Sequence, residues 1–213
     1  MYPRNVPFFF RSRNVVEPNQ LLTRTMLHAA SVLGHEEYPE LYSHVHPHGH
    51  ATARLARAFA TFRSAENYKD STLDEIELGA YLHDFGKYLI SKSILLKPGL
   101  LTKEERSIVS LHPVYGAQIL SNLPPITETA LHIVLYHHER WDGGGYPEGL
   151  KGKDIPPVAR LVSIVDVYTS LRARRTYKPT LTRLKATLTI KQMAGLELDP
   201  EMTQDFLKFI GMG

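Results

Sequence analysis

The chain has no cysteine among its 213 residues. Disulfide scaffolds, thiol nucleophiles, cysteine-ligated zinc and iron–sulfur clusters are therefore excluded. It has no apolar run near the ~20 residues that a membrane helix needs. Phe8-Phe9-Phe10 is too short an apolar stretch for a signal peptide. The expected location is the cytoplasm, with no membrane partner. An excess of one charge is lacking too: 25 Lys+Arg against 22 Asp+Glu leave a net charge of +3. That is too little to argue for nucleic acid, and it slightly favours small anionic substrates. Strictly alternating Val/Ile runs, the mark of half-buried strands, are missing. Hydrophobic residues at 43% and charged residues at 22% exclude disorder for most of the chain. Histidine is plentiful, with 11 copies.

The pattern is helical nearly throughout. Residues 1–13 read as an extended arm, and Pro18 to Leu33 as a helix with Leu22, Met26, Ala29 and Leu33 on one stripe. Pro39 and Pro47 bracket a junction where the main domain is expected to begin. The expected division is therefore an arm and helix over 1–40 and a domain over 41–213. Thr52, Leu55 and Phe59 follow a helical period, with His48 one turn earlier on that face. Leu73, Ile76, Ala80 and His83 form the next stripe, with Ser71 and Asp74 as a capping box. Lys97-Pro98-Gly99 is a turn. Thr102 with Glu105 opens a further helix, which His112-Pro113 breaks or restarts. The spacing predicts helices over Val114–Leu120, Ile126–Glu139, Pro157–Leu171, Leu181–Met193 and Asp199–Ile210. Gly143-Gly144-Gly145-Tyr146-Pro147 opposes a helix interior. The expected fold is an all-α helical bundle without internal repeats.

The histidines sit beside carboxylates. His83-Asp84 closes an apolar helix at a Gly-containing turn. Adjacent helical residues point about 100° apart, so both can reach one metal or the Asp can bridge two. His137-His138 stands at the end of an apolar helix, where packing gives no reason for it. His112 lies at a helix boundary. Asp166 sits in Val165-Asp166-Val167, and a buried carboxylate is costly unless paired or metal-bound. His48, His83, Asp84, His112, His137, His138 and Asp166 give seven N/O donors from five segments. Seven exceed the need of one ion and point to two metals with a bridging carboxylate. Nitrogen and oxygen donors without thiolate suit Fe, Mn or Zn.

These residues resemble the HD-GYP domains, a branch of the HD metal-dependent phosphohydrolases. His83-Asp84-Phe85-Gly86-Lys87 is similar to HDxGK. The run from His137-His138-Glu139 through Asp142-Gly143 to Gly145-Tyr146-Pro147 is similar to HHExxDGxGYP. Between them, His112-Pro113-Val114-Tyr115-Gly116 looks like the HPxxG element. The resemblance covers roughly His44 to Lys178. It implies an all-α domain with two or three divalent metals, often iron or manganese, in its core. It implies hydrolysis of cyclic di-GMP to pGpG or GMP, with a metal-bridging hydroxide as the attacking group. The family's ligands fall on the seven donors above. Asp84 and Lys87 take the catalytic positions. Gly145, Tyr146 and Pro147 form the substrate-facing loop, and Arg175 and Lys178 look like the family's phosphate-binding residues. His44 stands where members with three metals have a Glu. A third metal could use its imidazole, but two are favoured. Thr169 replaces a usual Asp.

Each role has a plainer counterpart. Lys87 could be an exposed charge at a helix C-terminus. Arg175 and Lys178 lie in a basic run of the kind that is often only solvated. Gly145-Tyr146-Pro147 could be a tight loop with a surface aromatic. Glu139 and Asp142 could orient ligand histidines or face solvent. Trp141 reads as a loop anchor, and His28, His35, His46, His50 and His132 as surface or packed residues. Three functions compete: a cyclic di-GMP phosphodiesterase, an HD-type phosphohydrolase on another nucleotide, and a non-catalytic module that binds cyclic dinucleotide or docks a diguanylate cyclase. No receiver or sensor domain fits in the first forty residues, so regulation is expected in trans or by expression.

Overall fold

Apolar residues at helical spacing build every long element. The computed structural model describes residues 39–63, 70–121, 123, 126–173 and 180–211, and the side chains of Leu41, His44, Asp70 and Ser71 lie outside the description. So the expectations for residues 1–33, for Arg175 and Lys178, and for a third metal on His44 fall outside the described residues. Nine α-helices follow in order among the described residues: α1 Pro39–Arg63, α2 Asp70–Leu82, α3 Lys92–Leu95, α4 Lys103–Val109, α5 His112–Leu120, α6 Glu128–Tyr136, α7 Pro157–Arg172, α8 Arg183–Met193 and α9 Pro200–Phe209. Short 3-10 turns cover Phe85–Leu89 and Gly152–Asp154. No strand occurs among the described residues; Ala194 and Leu198 make an isolated bridge. No helix there is long and apolar enough to cross a membrane.

One local expectation fails for a tertiary reason. Pro47 does not mark a junction, because α1 runs through it without interruption. A proline inside a helix loses one hydrogen bond and crowds the preceding turn. That cost is outweighed by the C-terminal half of α1, which buries Ala53, Ala56, Phe59 and Ala60. Burying Phe59 alone contributes about 1.5–3 kcal/mol. The capping box expected of Ser71 and Asp74 rests on a side chain outside the described residues. The buried Asp74 carboxylate accepts from Arg57 on α1, an ion pair that ties α2 to α1.

Other signals hold. Thr102 and Glu105 make a reciprocal capping box on α4. His112-Pro113 restarts the chain as the first residues of α5, where proline's missing N–H costs nothing. Thr127 caps α6 by accepting from the Ala130 N–H. That helix stops at Tyr136, so His137 and His138 lie in the turn beyond it. In the packing, α2 lies against α1 and α6, while α7 lies against α1, α6 and α8. Helix α9 closes the far side through Phe206, whose ring meets Phe59 edge-on at 5.0 Å. The ends of α2 and α6, the start of α5 and the middle of α7 thus face one interior point.

Candidate metal centre

A close approach of backbone starts the site. A Cβ on Gly86 would stand 1.9 Å from the His112 carbonyl oxygen and 2.5 Å from the Gly116 nitrogen. Only glycine lets the 3-10 turn lie on α5, and that contact sets His83-Asp84 beside His112. His83, Asp84, His112 and His137 are all buried, at 1%, 4%, 1% and 2% exposure.

The imidazoles are aimed by their backbones. Nδ1 of His83 donates to the Ala80 carbonyl at 2.7 Å, and Nδ1 of His112 to the Val109 carbonyl at 2.8 Å. Nδ1 of His137 donates to the Val134 carbonyl at 3.0 Å. In all three rings Nδ1 is therefore held by a backbone carbonyl, and Nε2 is the nitrogen turned into the site. The sequence spacing is the cause, since each ring reaches a carbonyl three residues before it. Ser163 on α7 adds a hydrogen bond from its hydroxyl to the His137 carbonyl. Sequence reasoning missed Ser163; the signal was a hydroxyl three residues before Asp166 in an otherwise apolar helix face.

Two groups of donors result. Asp84, His112, His137 and His138 form one, and His48, His83 and Asp166 the other, with the ligand atoms of each within 4.8 Å of one another. All seven donors expected from the sequence are brought together. The groups touch: His83 Nε2 lies 3.4 Å from Asp84 Oδ2 and 3.6 Å from Asp166 Oδ1. His48 Nε2 donates to Asp166 Oδ1 at 2.8 Å. One turn along, Thr52 and Thr169 join α1 to α7 by a hydroxyl pair at 3.0 Å. Thr169 thus supports the helix pair that carries His48 and Asp166.

The donor set fits divalent cations by observations of its own. His83 Nε2 and Asp84 Oδ1 are buried without a hydrogen-bond partner. The Nε2 atoms of His112 and His137 face each other at 3.3 Å. Burial, followed by His138, His83 and His112, holds the His137 imidazole well below its ordinary value. Burial and then His112 depress His138 to about 3. Both rings are therefore neutral at pH 7, as ligands must be. Burial opposes ionisation of Asp84, but Lys87, His83 and His112 outweigh it and hold the carboxyl well below the usual range. Asp166 is likewise lowered against its burial by His48 and His83.

The remaining predicted residues divide. Lys87 is not a free helix-end charge: its ammonium donates to Asp84 Oδ2 at 2.6 Å while 26% of its side chain stays exposed. Tyr146 lies over His138, with ring centroids 4.8 Å apart and planes tilted 32°. Its N–H donates to the His138 carbonyl at 3.2 Å. Gly145 and Pro147 flank it in a part-buried loop, and the Tyr146–Pro147 peptide is cis. Asp142 does not reach a histidine. It accepts from Arg140 and the Gly144 N–H, which draw its carboxyl down to about 2. Glu139 also turns away, to the backbone of residues 148–150. Trp141 does anchor the loop, donating to the Glu197 carbonyl and accepting from the Gly152 N–H, both at 3.0 Å. His46 and His50 pack against Tyr42 and Tyr81 rather than into the centre.

Known proteins share this chain's sequence pattern and fold. A family model described as "HD domain" matches residues 35–202. A cyclic di-GMP phosphodiesterase of Thermotoga maritima is 37% identical over 81% of this chain and 46% of its own length. A 3'3'-cGAMP-specific phosphodiesterase of Vibrio cholerae is 37% identical over 65% of this chain and 27% of its own. The chain thus spans less than half the length of either relative. In fold, it is similar to the HDGYP protein Bd1817 of Bdellovibrio bacteriovorus, with a TM-score of 0.65 at 20% identity over 91% of this chain and 65% of that one.

Proposed function

Because this chain belongs to the HD domain family and carries the long second motif of its HD-GYP branch, we propose that it hydrolyses cyclic di-GMP to linear pGpG or GMP. The observation that carries the reading is the convergence of seven buried or part-buried N/O donors, in two adjoining groups, beneath an aromatic loop. Relatives named for cyclic di-GMP or 3'3'-cGAMP support a cyclic dinucleotide as the substrate class.

In this reading Asp84, His112, His137 and His138 hold one divalent ion and His48, His83 and Asp166 the other. Iron or manganese is the pair that the HD-GYP resemblance implies, and a set of imidazole and carboxylate without thiolate is compatible with either. Such ions, when bound, polarise a phosphodiester and acidify water. Asp84 stands between the two groups and can serve both. Lys87, held on Asp84 with part of its side chain open, can place an ammonium on a non-bridging phosphate oxygen. Tyr146 and Pro147 form a wall on which a guanine can stack. Arg175 and Lys178 are proposed to grip the second phosphate, the guanidinium by two parallel bonds and the ammonium as a point charge.

The test is product analysis after anaerobic loading with Fe(II) or, separately, Mn(II). Cyclic di-GMP and 3'3'-cGAMP are each added and products resolved by chromatography beside an Asp84→Ala variant. Linear product from wild type alone supports the reading. Turnover of 3'3'-cGAMP only would move the substrate to the hybrid dinucleotide. No turnover of either with either metal sinks it.

A further inference from the structure

Glu139 is a buried carboxylate that the proposed ligand set does not use. It is 3% exposed. Its Oε1 accepts the Glu148 N–H at 2.7 Å and the Gly149 N–H at 3.1 Å, and Oε2 accepts the Leu150 N–H at 3.0 Å. Three successive backbone donors, nine to eleven residues downstream, converge on one side chain. Burial pushes its carboxyl up, and these three amides pull it part of the way back. A buried acid is costly to keep where packing alone is needed, because an apolar residue would fill the space with less desolvation. Its contacts therefore point to a loop that must be held in one place.

The same loop is seated at its other end. A Cβ on Gly145 would stand 2.3 Å from the Arg140 nitrogen and 2.6 Å from the Glu139 Cα. The chain thus lies directly on residues 138–140 and leads straight into Tyr146, whose N–H bonds to His138. Tyr136 donates to the Glu148 carboxylate at 3.1 Å. Tyr146 and Pro147 are therefore clamped between Gly145 on one side and the Glu139 carboxylate on the other.

We propose that Glu139 is a positioning residue: by gripping the amides of 148–150 it fixes the height of Tyr146 and Pro147 above His138, and so governs substrate binding rather than metal binding. The kinetic part rests on the function proposed above; the structural part does not.

The test uses the full chain loaded with Mn(II), as wild type, Glu139→Ala and Glu139→Gln. Glutamine keeps the shape and one acceptor oxygen but turns an NH2 group toward a backbone donor, so it should lie between the other two. Amide exchange is followed over 145–150. Quenching by acrylamide is followed at Trp141, the chain's single tryptophan. Expected is at least about tenfold faster exchange at 148–150 in the alanine variant and a smaller increase in glutamine, the scale of losing bonds to a charged acceptor. Manganese stoichiometry should stay at the wild-type value. KM for cyclic di-GMP should rise about tenfold while kcat changes less than about threefold. Unchanged exchange in both variants overturns the proposal, as does loss of manganese with exchange unaltered, or a fall in kcat with KM unmoved. Should the alanine variant not fold, the glutamine variant carries the same measurements. Should wild type not cleave cyclic di-GMP, the function fails separately, and exchange together with quenching still decides whether Glu139 holds the loop.

Discussion

Asp84 sits where three opposed influences meet. Lys87 donates to one oxygen, His112 Nε2 lies 3.2 Å from the other, and that second oxygen has no hydrogen bond of its own. What brings them together is Gly86, the least conspicuous residue of its motif. We predict that Gly86→Ala separates the 3-10 turn from α5, because its Cβ would overlap the His112 carbonyl. Backbone cannot yield as a flexible side chain can, so the cost should reach about 1–3 kcal/mol of stability, with metal affinity reduced at least tenfold. Calorimetric unfolding and manganese titration check this. Wild-type affinity in the variant would show that the two backbones are not held together. At this scale the donor cluster was legible because residue type announces it: His and Asp inside apolar stripes have few other uses. Glu139 was not legible, because its partners are backbone amides, which carry no mark in the sequence. Ser163 was nearly legible, as a hydroxyl among apolar neighbours.

At the scale of elements, periodicity and caps gave boundaries close to those observed for α4, α5, α7, α8 and α9. They failed wherever a distant element competed. Pro47 reads as a breaker, yet α1 continues through it, since burial further along the helix outweighs one lost bond. Helix α1 is held in register independently of its proline. Gly49 packs so closely on α2 that a Cβ there would stand 2.8 Å from the Tyr81 carbonyl oxygen. Pro47 is also exposed. Pro47→Ala should therefore restore a helical hydrogen bond without moving His48 from Asp166. Unfolding free energy is expected to rise by about 1 kcal/mol or more, with manganese stoichiometry unchanged. Denaturant titration measures it. A loss of stability would mean that the proline bends α1 into a shape the core requires.

At the scale of the whole molecule, the described histidines couple stability to pH. In the metal-free protein, His137 lies well below its ordinary 6.5 and His138 at about 3, both first of all through burial. His46 and His50 are lowered as well, by partial burial and then by each one's basic neighbour. The folded state thus binds fewer protons than the unfolded chain below pH 6.5, and its stability falls as pH falls. His83 acts in the opposite sense: despite its burial, Asp84 and Asp166 raise it, so its contribution is present below pH 6.5 and fades above. Asp84 and Asp166, both lowered, add nothing to the slope until pH approaches 3.8. The lowered histidines outnumber the raised one, so the net slope is acid-destabilising. His138 alone contributes about 2 kcal/mol between pH 6.5 and 5, or about 4–8 °C in Tm for a chain of this size. Chelator-treated protein should therefore melt several degrees lower at pH 5 than at pH 7. Added Mn(II) should raise Tm more at pH 7 than at pH 5, because at pH 5 protons compete for the same nitrogens. A metal-free Tm that is flat or rises toward pH 5 would mean that the histidine cluster folds already protonated, and that the four-donor group is not preformed for a cation.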